Sequence, residues 1–245
     1  METAVIAGVG PGLGASLARA FSKEGFSVAL LSRRLETSEP VAAQIQADKG
    51  TALALCVDVT DRDAVFQTVE TIRAELSPIT MLAYNASSFG RGNFLDLDPA
   101  IIRQSFEVGT MGAVHLAQAI IPDMLRAGHG FISLTGATAS LRGRAGFAPL
   151  AIAKSSLRIL GQSLAREFHP KGIHVLHVIV DGQIDTPRLR GREPGRSADT
   201  LIPPDGIANA VIHCLRQPRN GWTHVIDMRP CGEGSDSASA DFDLT

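Results

Sequence analysis

A chain of 245 residues with 44% hydrophobic and 20% charged side chains is long enough to bury a substantial core within one large domain. The net charge of −2 excludes a broadly basic surface, so we expect neither nucleic acid nor a membrane as a partner. Cys56, Cys214 and Cys231 are too few and too scattered for a disulfide framework or a zinc site. Because the first predicted strand starts almost at Met1 and no apolar run is long enough to cross a bilayer, we expect a cytoplasmic protein without a bound metal.

A glycine-rich turn near the start of the chain has the sequence context of a phosphate-binding loop. Residues 3–7 form a short apolar run typical of a strand, and apolar residues recur at helical spacing over 15–21. The turn between them contains Gly8, Gly10, Gly12, Leu13 and Gly14. Glycine permits a tight turn and a close approach of the backbone to a pyrophosphate, which the N–H groups at the helix N-terminus then face.

The spacing of this turn is GxxxGxG, whereas longer dehydrogenases use GxGxxG. An ordinary strand-to-helix turn would also explain the glycines. Their place at the start of an alternating β/α chain favours the nucleotide-binding interpretation.

Strands and helices are predicted to alternate along the rest of the chain. Apolar runs predict further strands at 26–31, 52–57, 81–84, 131–134, 173–180 and 223–226. Ser38-Glu39-Pro40 is predicted to open the second helix, and Thr60 to cap the third. Asp98-Pro99 opens a long helical stretch that Pro122 is predicted to kink or shorten. The last two helices are predicted at 149–168 and 207–215.

The alternation predicts an α/β protein with one doubly wound, parallel, seven-stranded sheet and helices on both faces. We assign residues 1–230 to a single domain. Residues 186–204 are rich in arginine and show no clear periodicity, so we expect an irregular segment there. Residues 231–245 are rich in Ser, Gly and Asp and are predicted to be disordered.

Five segments in a fixed order resemble the motifs of the short-chain dehydrogenase/reductase family, from the first strand to Pro230. They are the glycine turn, Asp58-Val59, Asn85-Ala86-Ser87, Lys154, and the segment Asp181-Gly182-Gln183-Ile184-Asp185-Thr186. The resemblance implies a Rossmann fold that binds a nicotinamide dinucleotide and transfers a hydride to or from a small-molecule substrate.

The resemblance also implies a role for each of these segments. Asp58 and Val59 would lie at the adenine, and residues 85–87 would lie beside the cofactor. Lys154 would hold the hydroxyls of the nicotinamide ribose. Gly182, Ile184 and Thr186 would belong to the segment that closes over the nicotinamide.

Ser32, Arg33 and Arg34 follow the second predicted strand, where an acidic residue would bind the ribose 2′-hydroxyl of NAD. No acid is present, and arginine accommodates the 2′-phosphate of NADP. A solvated basic turn is the alternative. We predict a preference for NADP(H) over NAD(H).

Three of the four catalytic positions of the family differ in this chain. Counting from Lys154, the position of the family's tyrosine holds Leu150, that of its serine Ala137, and that of its asparagine Gly109. Leu150 and Lys154 share a helix face but lack the acidic hydroxyl. The only tyrosine, Tyr84, lies on the adenosine side and does not replace it.

Thr138 and Asp181 are the remaining candidates for proton transfer. Thr138 either donates a hydrogen bond to substrate or is satisfied within its own loop. Asp181 stands where the family has proline, and is a turn acid, a partner of Lys154, or a proton donor. Two loops that would rim the substrate site carry arginines, which are either solvated or convergent on an anionic substrate: Arg142, Arg144, Arg188, Arg190 and Arg192.

We therefore predict an NADP(H)-dependent oxidoreductase of unknown substrate with a non-standard or impaired active site. A dinucleotide-binding protein without turnover, acting as a sensor or partner subunit, is the alternative. The resemblance also implies a homodimer or homotetramer that pairs through the fourth and fifth helices. These carry Ile120, Ile121, Leu125, Leu157, Leu160 and Leu164.

Overall fold

A single parallel sheet forms the centre of the structure, which is a computed structural model that describes residues 1–232. Its described strands are β1 (Thr3–Ala7), β2 (Ser27–Ser32), β3 (Ala52–Cys56), β4 (Ile79–Tyr84), β5 (Gly130–Thr135), β6 (Ile173–Val180), β7 (Gln183–Ile184), β8 (Leu201–Ile202) and β9 (Val225–Met228). Seven strands pair in the order β3-β2-β1-β4-β5-β6-β9, all parallel, and β7 pairs separately with β8. The predicted seven-stranded parallel sheet is confirmed.

Helices cover both faces of this sheet. The described helices are α1 (Leu13–Lys23), α2 (Leu35–Ala47), α3 (Arg62–Glu75), α4 (Pro99–Phe106), α5 (Gly112–Ala127), α6 (Ala148–Phe168), α7 (Pro187–Arg192) and α8 (Pro204–Leu215). Ile6 of β1 packs with α1, α2 and α8, whereas its neighbour Val5 packs with α3, α5 and α6. Successive residues of a strand point to opposite faces of the sheet. Because both of these side chains are fully buried, both faces of β1 are covered. This two-sided burial explains why the strands are continuous apolar runs.

The strand order reverses between β1 and β4, since the chain passes from β1 to β2 on one side and returns to β4 on the other. In open α/β sheets a crevice forms at such a point, at the carboxyl ends of the strands. The glycine turn follows β1 at this edge, and residues 85–87 follow β4.

Two predicted helix starts were wrong by a few residues. Helix α2 begins at Leu35, so Pro40 lies inside it and does not open it. Helix α3 is capped by Asp61, whose carboxylate accepts a hydrogen bond from the Ala64 N–H at 3.0 Å. Thr60 instead donates its hydroxyl to Asp58, because a carboxylate two residues away offers a nearer acceptor.

The long helical stretch is interrupted earlier than predicted. Helix α5 continues through Pro122 to Ala127, and the irregularity is a π-helical turn at Glu107–Met111 between α4 and α5. Turns of this kind insert one extra residue and are frequent at functional sites. The segment 186–204 is also more ordered than predicted, since it contains α7 and β8.

The predicted disordered tail, 231–245, begins within the described part of the chain. Cys231 and Gly232 are described, and the Gly232 N–H donates to the Asp199 carbonyl at 2.7 Å. Residues 233–245 lie outside the described residues. Among the described helices, none combines the length and apolar character needed to span a bilayer.

Two histidines on β6 are buried in the sheet. Burial lowers the pKa of both His174 and His177 to about 4, and for His177 the charges of Lys154 and Arg158 add to the effect. Both nitrogens of the His177 ring lack a hydrogen-bond partner among the described residues. The folded protein therefore holds both rings neutral at pH values where the unfolded chain would protonate them.

This burial predicts acid sensitivity. The unfolded chain binds more protons between pH 6.5 and about 4, so the free energy of unfolding falls as pH decreases through that window. We expect a loss of about 1 kcal/mol or more between pH 7 and pH 5, measured by urea unfolding. His174→Gln with His177→Gln should flatten this dependence, and His213→Gln, at an exposed position on α8, should not. An unchanged slope in the double variant would contradict the assignment.

Candidate active site

The glycine turn is packed tightly on its inner side and open on its outer side. Gly8 has a φ of +87°, and a Cβ built there would lie 2.6 Å from the Ala86 nitrogen. A Cβ on Gly14 would clash with the Gly8 carbonyl oxygen, so the first turn of α1 rests directly on the end of β1. A Cβ on Gly10, by contrast, meets nothing within 4 Å. The open outer side, which the N-terminus of α1 faces, fits a pyrophosphate.

Asn85, Ala86 and Ser87 lie against this turn. The Asn85 side-chain amide donates to the Gly8 carbonyl at 3.0 Å, and its backbone N–H donates to the Ala7 carbonyl. Ala86 is the backbone neighbour of Gly8, and Ser87 is exposed. Asn85 therefore fixes the shape of the glycine turn.

The loop after β2 places two exposed arginines beside the glycine turn. Ser32 donates its hydroxyl to the Arg34 carbonyl at 2.8 Å and lies 2.9 Å from the Ser38 hydroxyl, so its polar group is used within the loop. Thr37 links the loop to the glycine turn through the Val9 carbonyl at 3.3 Å. The side chains of Arg33 and Arg34 are left at the surface.

Asp58 and Val59 follow β3 at the same edge of the sheet. Asp58 is exposed and accepts from the Thr60 N–H at 3.0 Å. Val59 is buried, and its carbonyl accepts from Nδ1 of His115 at 3.0 Å. No local pattern signalled this role of His115, which ties α5 to the segment that holds Asp58.

Lys154 is buried at the carboxyl end of β5. Its ammonium group donates to the Thr135 carbonyl at 2.8 Å, and burial lowers its pKa to about 8. Leu150 lies one helical turn before it, half-buried, on the same face of α6. The lysine is therefore held in place by the backbone, next to a side chain that has no proton to give.

Gly109 and Ala137, the other two positions that differ from the family, have no side-chain hydrogen-bonding group. Gly109 lies in the π-helical turn, and a Cβ built on it would stand 2.9 Å from the Cβ of Ala153. A longer side chain at 109 thus requires either the π-helical turn or α6 to move. At Ala137 the backbone N–H donates to the Ser140 hydroxyl at 3.1 Å.

Tyr84 is fully buried at the end of β4 and donates its hydroxyl to the Val108 carbonyl. Burial raises its pKa well above the ordinary range, and the charge of Asp58 acts in the same direction. A Cβ on Gly112 would clash with this hydroxyl. Tyr84 therefore supports the π-helical turn and has no proton available for chemistry.

Tyr84→Phe should lower stability without affecting cofactor binding. Removing the hydroxyl leaves the Val108 carbonyl buried without that donor, which costs about 1–3 kcal/mol. We expect a loss of this size in urea unfolding and an unchanged NADPH dissociation constant. A variant as stable as the wild type would show that the hydrogen bond contributes nothing.

Thr138 and Asp181 come together at the end of β6. The Thr138 hydroxyl donates to the buried Asp181 carboxylate, and Arg229 forms an ion pair with the same carboxylate at 3.2 Å. The Lys154 ammonium donates to the Thr135 carbonyl, and the described residues show no ion pair between Lys154 and Asp181, which was one of the alternatives for Asp181. The contact with Arg229 had no sequence signal, since the two residues are far apart along the chain.

The segment after β6 reaches back over the glycine turn. A Cβ built on Gly12 would lie 3.0 Å from Cγ2 of Thr186, and the Thr186 hydroxyl caps α7 through the Leu189 N–H at 3.2 Å. Ile184 lies in β7 and pairs with Ile202 of β8, and Gly182 immediately precedes β7. The structure thus brings the predicted nicotinamide-side segment to the predicted phosphate-binding turn.

The arginines of the two loops expected at the substrate site differ in the contacts that they make. Arg190 binds Asp185 through two nitrogens, each at 2.7 Å from a carboxylate oxygen, so it is directed into its own segment. Arg192 pairs with Glu193 at 3.4 Å. Arg144 stacks over Phe147, while Arg142 and Arg188 are exposed.

Comparison with known proteins gives one consistent result. A family model described as short chain dehydrogenase matches residues 2–196. An uncharacterized oxidoreductase of Staphylococcus saprophyticus is 26% identical over 230 residues, covering 94% of this chain and 97% of the relative.

Solved structures of the same kind share the fold. A short-chain dehydrogenase from Rhodopseudomonas palustris is 32% identical, with a TM-score of 0.82 over 94% of this chain and 98% of that one. A metagenomic short-chain oxidoreductase in complex with NADP is 24% identical, with a TM-score of 0.81 over 94% and 97%.

Proposed function

The chain belongs to the short-chain dehydrogenase family, and we propose that it is an NADP(H)-dependent oxidoreductase with an altered proton-transfer site. One observation carries the proposal. The glycine turn, Asn85 and the buried Lys154 lie at a single sheet edge, while Leu150 takes the position one helical turn before the lysine.

The residues at this edge fit a nicotinamide dinucleotide, which would supply or accept the hydride when bound. The glycine turn would receive the pyrophosphate, and Asp58 would contact the adenine. Arg33 and Arg34 would meet a 2′-phosphate. Lys154 would hold the hydroxyls of the nicotinamide ribose.

Within the described part of the chain, Thr138 and Asp181 are the groups best arranged to move a proton. We propose that the Asp181 carboxylate accepts a proton from the Thr138 hydroxyl while Thr138 accepts one from the substrate alcohol, and that reduction reverses the transfer. Arg229 balances the charge of the carboxylate and keeps it oriented.

A second candidate function is a dinucleotide-binding protein without turnover. It is favoured by the tight packing of Gly109 against Ala153, which leaves no room for a substrate-binding side chain at that position. Leu150 and Ala137 also favour this function, because neither side chain can donate a hydrogen bond to a carbonyl oxygen.

Thr138→Val and Asp181→Asn separate these two functions. For the enzyme we expect NADPH consumption with a panel of carbonyl compounds to fall about 10²-fold or more in each variant, because general acid–base help is worth that much. The NADPH dissociation constant should stay unchanged. NADPH binding with no consumption by the wild type across the panel would support the second candidate.

The protein is expected to self-associate through α6. Ile120, Ile121 and Leu157 are buried within the described chain, so they do not form the free apolar surface predicted for them. Ile152 and Ile159 do, being 40% and 58% exposed. We propose a homodimer or homotetramer that buries them.

Light scattering at micromolar concentration tests this. We expect a mass of at least twice the chain mass of 25.9 kDa. Ile152→Glu together with Ile159→Glu should reduce it to that of the single chain. A wild-type protein that is already monomeric would contradict the proposed interface.

A further inference from the structure

Four side chains form a cluster at the N-terminal end of α6: Phe89, Arg91, Arg144 and Phe147. We call them the rim cluster. We infer that the rim cluster binds an anionic group of the substrate, a carboxylate or a phosphate, attached to an apolar body. This inference rests on the proposed function and adds a substrate class to it.

Two loops supply the rim cluster and are fixed to each other. The Gly92 N–H donates to the Gly146 carbonyl at 3.0 Å, which joins the loop after β4 to the loop before α6. The second loop is closed on itself, since the Phe147 N–H donates to the Arg144 carbonyl at 3.1 Å. The backbones that carry both arginines are therefore held together.

The ring of Phe147 contacts the other three side chains of the rim cluster. The guanidinium carbons of Arg91 and Arg144 lie 5.5 Å and 5.8 Å from the centre of its ring, and the ring of Phe89 meets it edge-on at 6.1 Å. Both guanidinium groups are thereby held beside one ring. Two planar cations beside apolar rings match an anion carried on an apolar body, because guanidinium groups bind carboxylate and phosphate through paired hydrogen bonds.

The cluster lies at the N-terminal end of the helix that carries Lys154. Phe147 immediately precedes α6, and Leu150 and Lys154, which share a helix face, follow three and seven residues later. A rise of 1.5 Å per residue puts Phe147 about 10 Å from Lys154 along the helix axis. The expected substrate thus has its reacting carbon and its anionic group separated by roughly this length, with Leu150 beside the apolar part between them.

The test uses the full chain saturated with NADP⁺ and calorimetric titration of methyl ketones that end in a carboxylate. A series with chains of increasing length is compared with the corresponding methyl esters, which keep the shape and lose the charge. A second series that ends in a phosphate monoester distinguishes the two anions. We expect at least one of the anions to bind about 10-fold or more tightly than its neutral counterpart.

Arg91→Gln together with Arg144→Gln should bring the anion down to the affinity of the ester and leave the ester unchanged. Lys171→Gln is the matched control, because Lys171 stacks 4.8 Å from the ring of Phe168 at the opposite end of α6. It should keep the full preference for the anion.

Equal affinities for anion and ester in the wild type would overturn the inference, as would a preference that survives in the double variant. Failure to bind any member of either series would also overturn it. These outcomes are distinct from failure of the proposed function, which would appear as no NADPH consumption by the wild type across the carbonyl panel, whether or not the anions bind.

Discussion

Leu150→Tyr combined with Ala137→Ser is expected to raise NADPH-dependent carbonyl reduction by about 10²-fold or more. The introduced phenol would stand one helical turn from Lys154, whose pKa is lowered to about 8 by burial. Below that pH the ammonium charge favours ionisation of a neighbouring phenol and so makes it a better acid. The Ala137→Ser substitution would add a hydroxyl donor for the carbonyl oxygen.

The gain should stay below the product of the two separate effects, since such groups act as a unit. Gly109 also remains, and its contact with Ala153 prevents restoration of the third position unless the π-helical turn or α6 moves. The readout is the initial rate of NADPH consumption with the most reactive compound of a carbonyl panel, at pH 7.

Leu150→Phe with Ala137→Ser is the matched control, because it supplies the ring without the hydroxyl. It should not reproduce the gain. If both double variants are equally active, the effect comes from packing. If neither is faster than the wild type, the missing acid is not what limits the reaction.

Arg33→Ala with Arg34→Ala is expected to abolish a preference of about tenfold or more for NADPH over NADH. A charge-assisted contact to the 2′-phosphate contributes roughly 1.5–3 kcal/mol, and the exposed loop after β2 offers no acid for a 2′-hydroxyl. The affinity for NADH should change little, because the turn that receives its pyrophosphate is untouched.

Calorimetric titration of both dinucleotides into both proteins measures this. Arg103→Ala, which removes an exposed arginine from α4, is the control and should retain the preference. Equal affinities of the wild type for NADPH and NADH would refute the assignment. A preference that persists without both arginines would place the 2′-phosphate elsewhere.

Local patterns were sufficient to predict the sheet. Strands β1, β2, β4 and β6 are buried along their whole length, so each is a largely apolar run that is visible in the sequence. Helix ends were less predictable because several residues compete for the same cap. Asp61, for example, accepts the helix N–H that was assigned to Thr60.

The meeting of the glycine turn, Asp58 and Asn85 at one edge of the sheet was also predictable, because these segments follow strands in a fixed order. The contacts around Asp181 and within the rim cluster join distant segments and left no local pattern. Arg229 reaches Asp181 from just after β9, and Arg91 and Arg144 both lie beside the ring of Phe147. The π-helical turn at 107–111 was missed because its sequence is compatible with an ordinary helix.

We propose that the dinucleotide site is complete and independent of the altered proton-transfer site. Calorimetric titration of NADPH into the wild type and into Leu150→Tyr with Ala137→Ser tests it most directly. We predict saturable binding of one NADPH per chain in both proteins, with dissociation constants that agree within about twofold, a difference under about 0.5 kcal/mol. A wild type that binds no NADPH, or one that binds it only after the two substitutions, would contradict the claim.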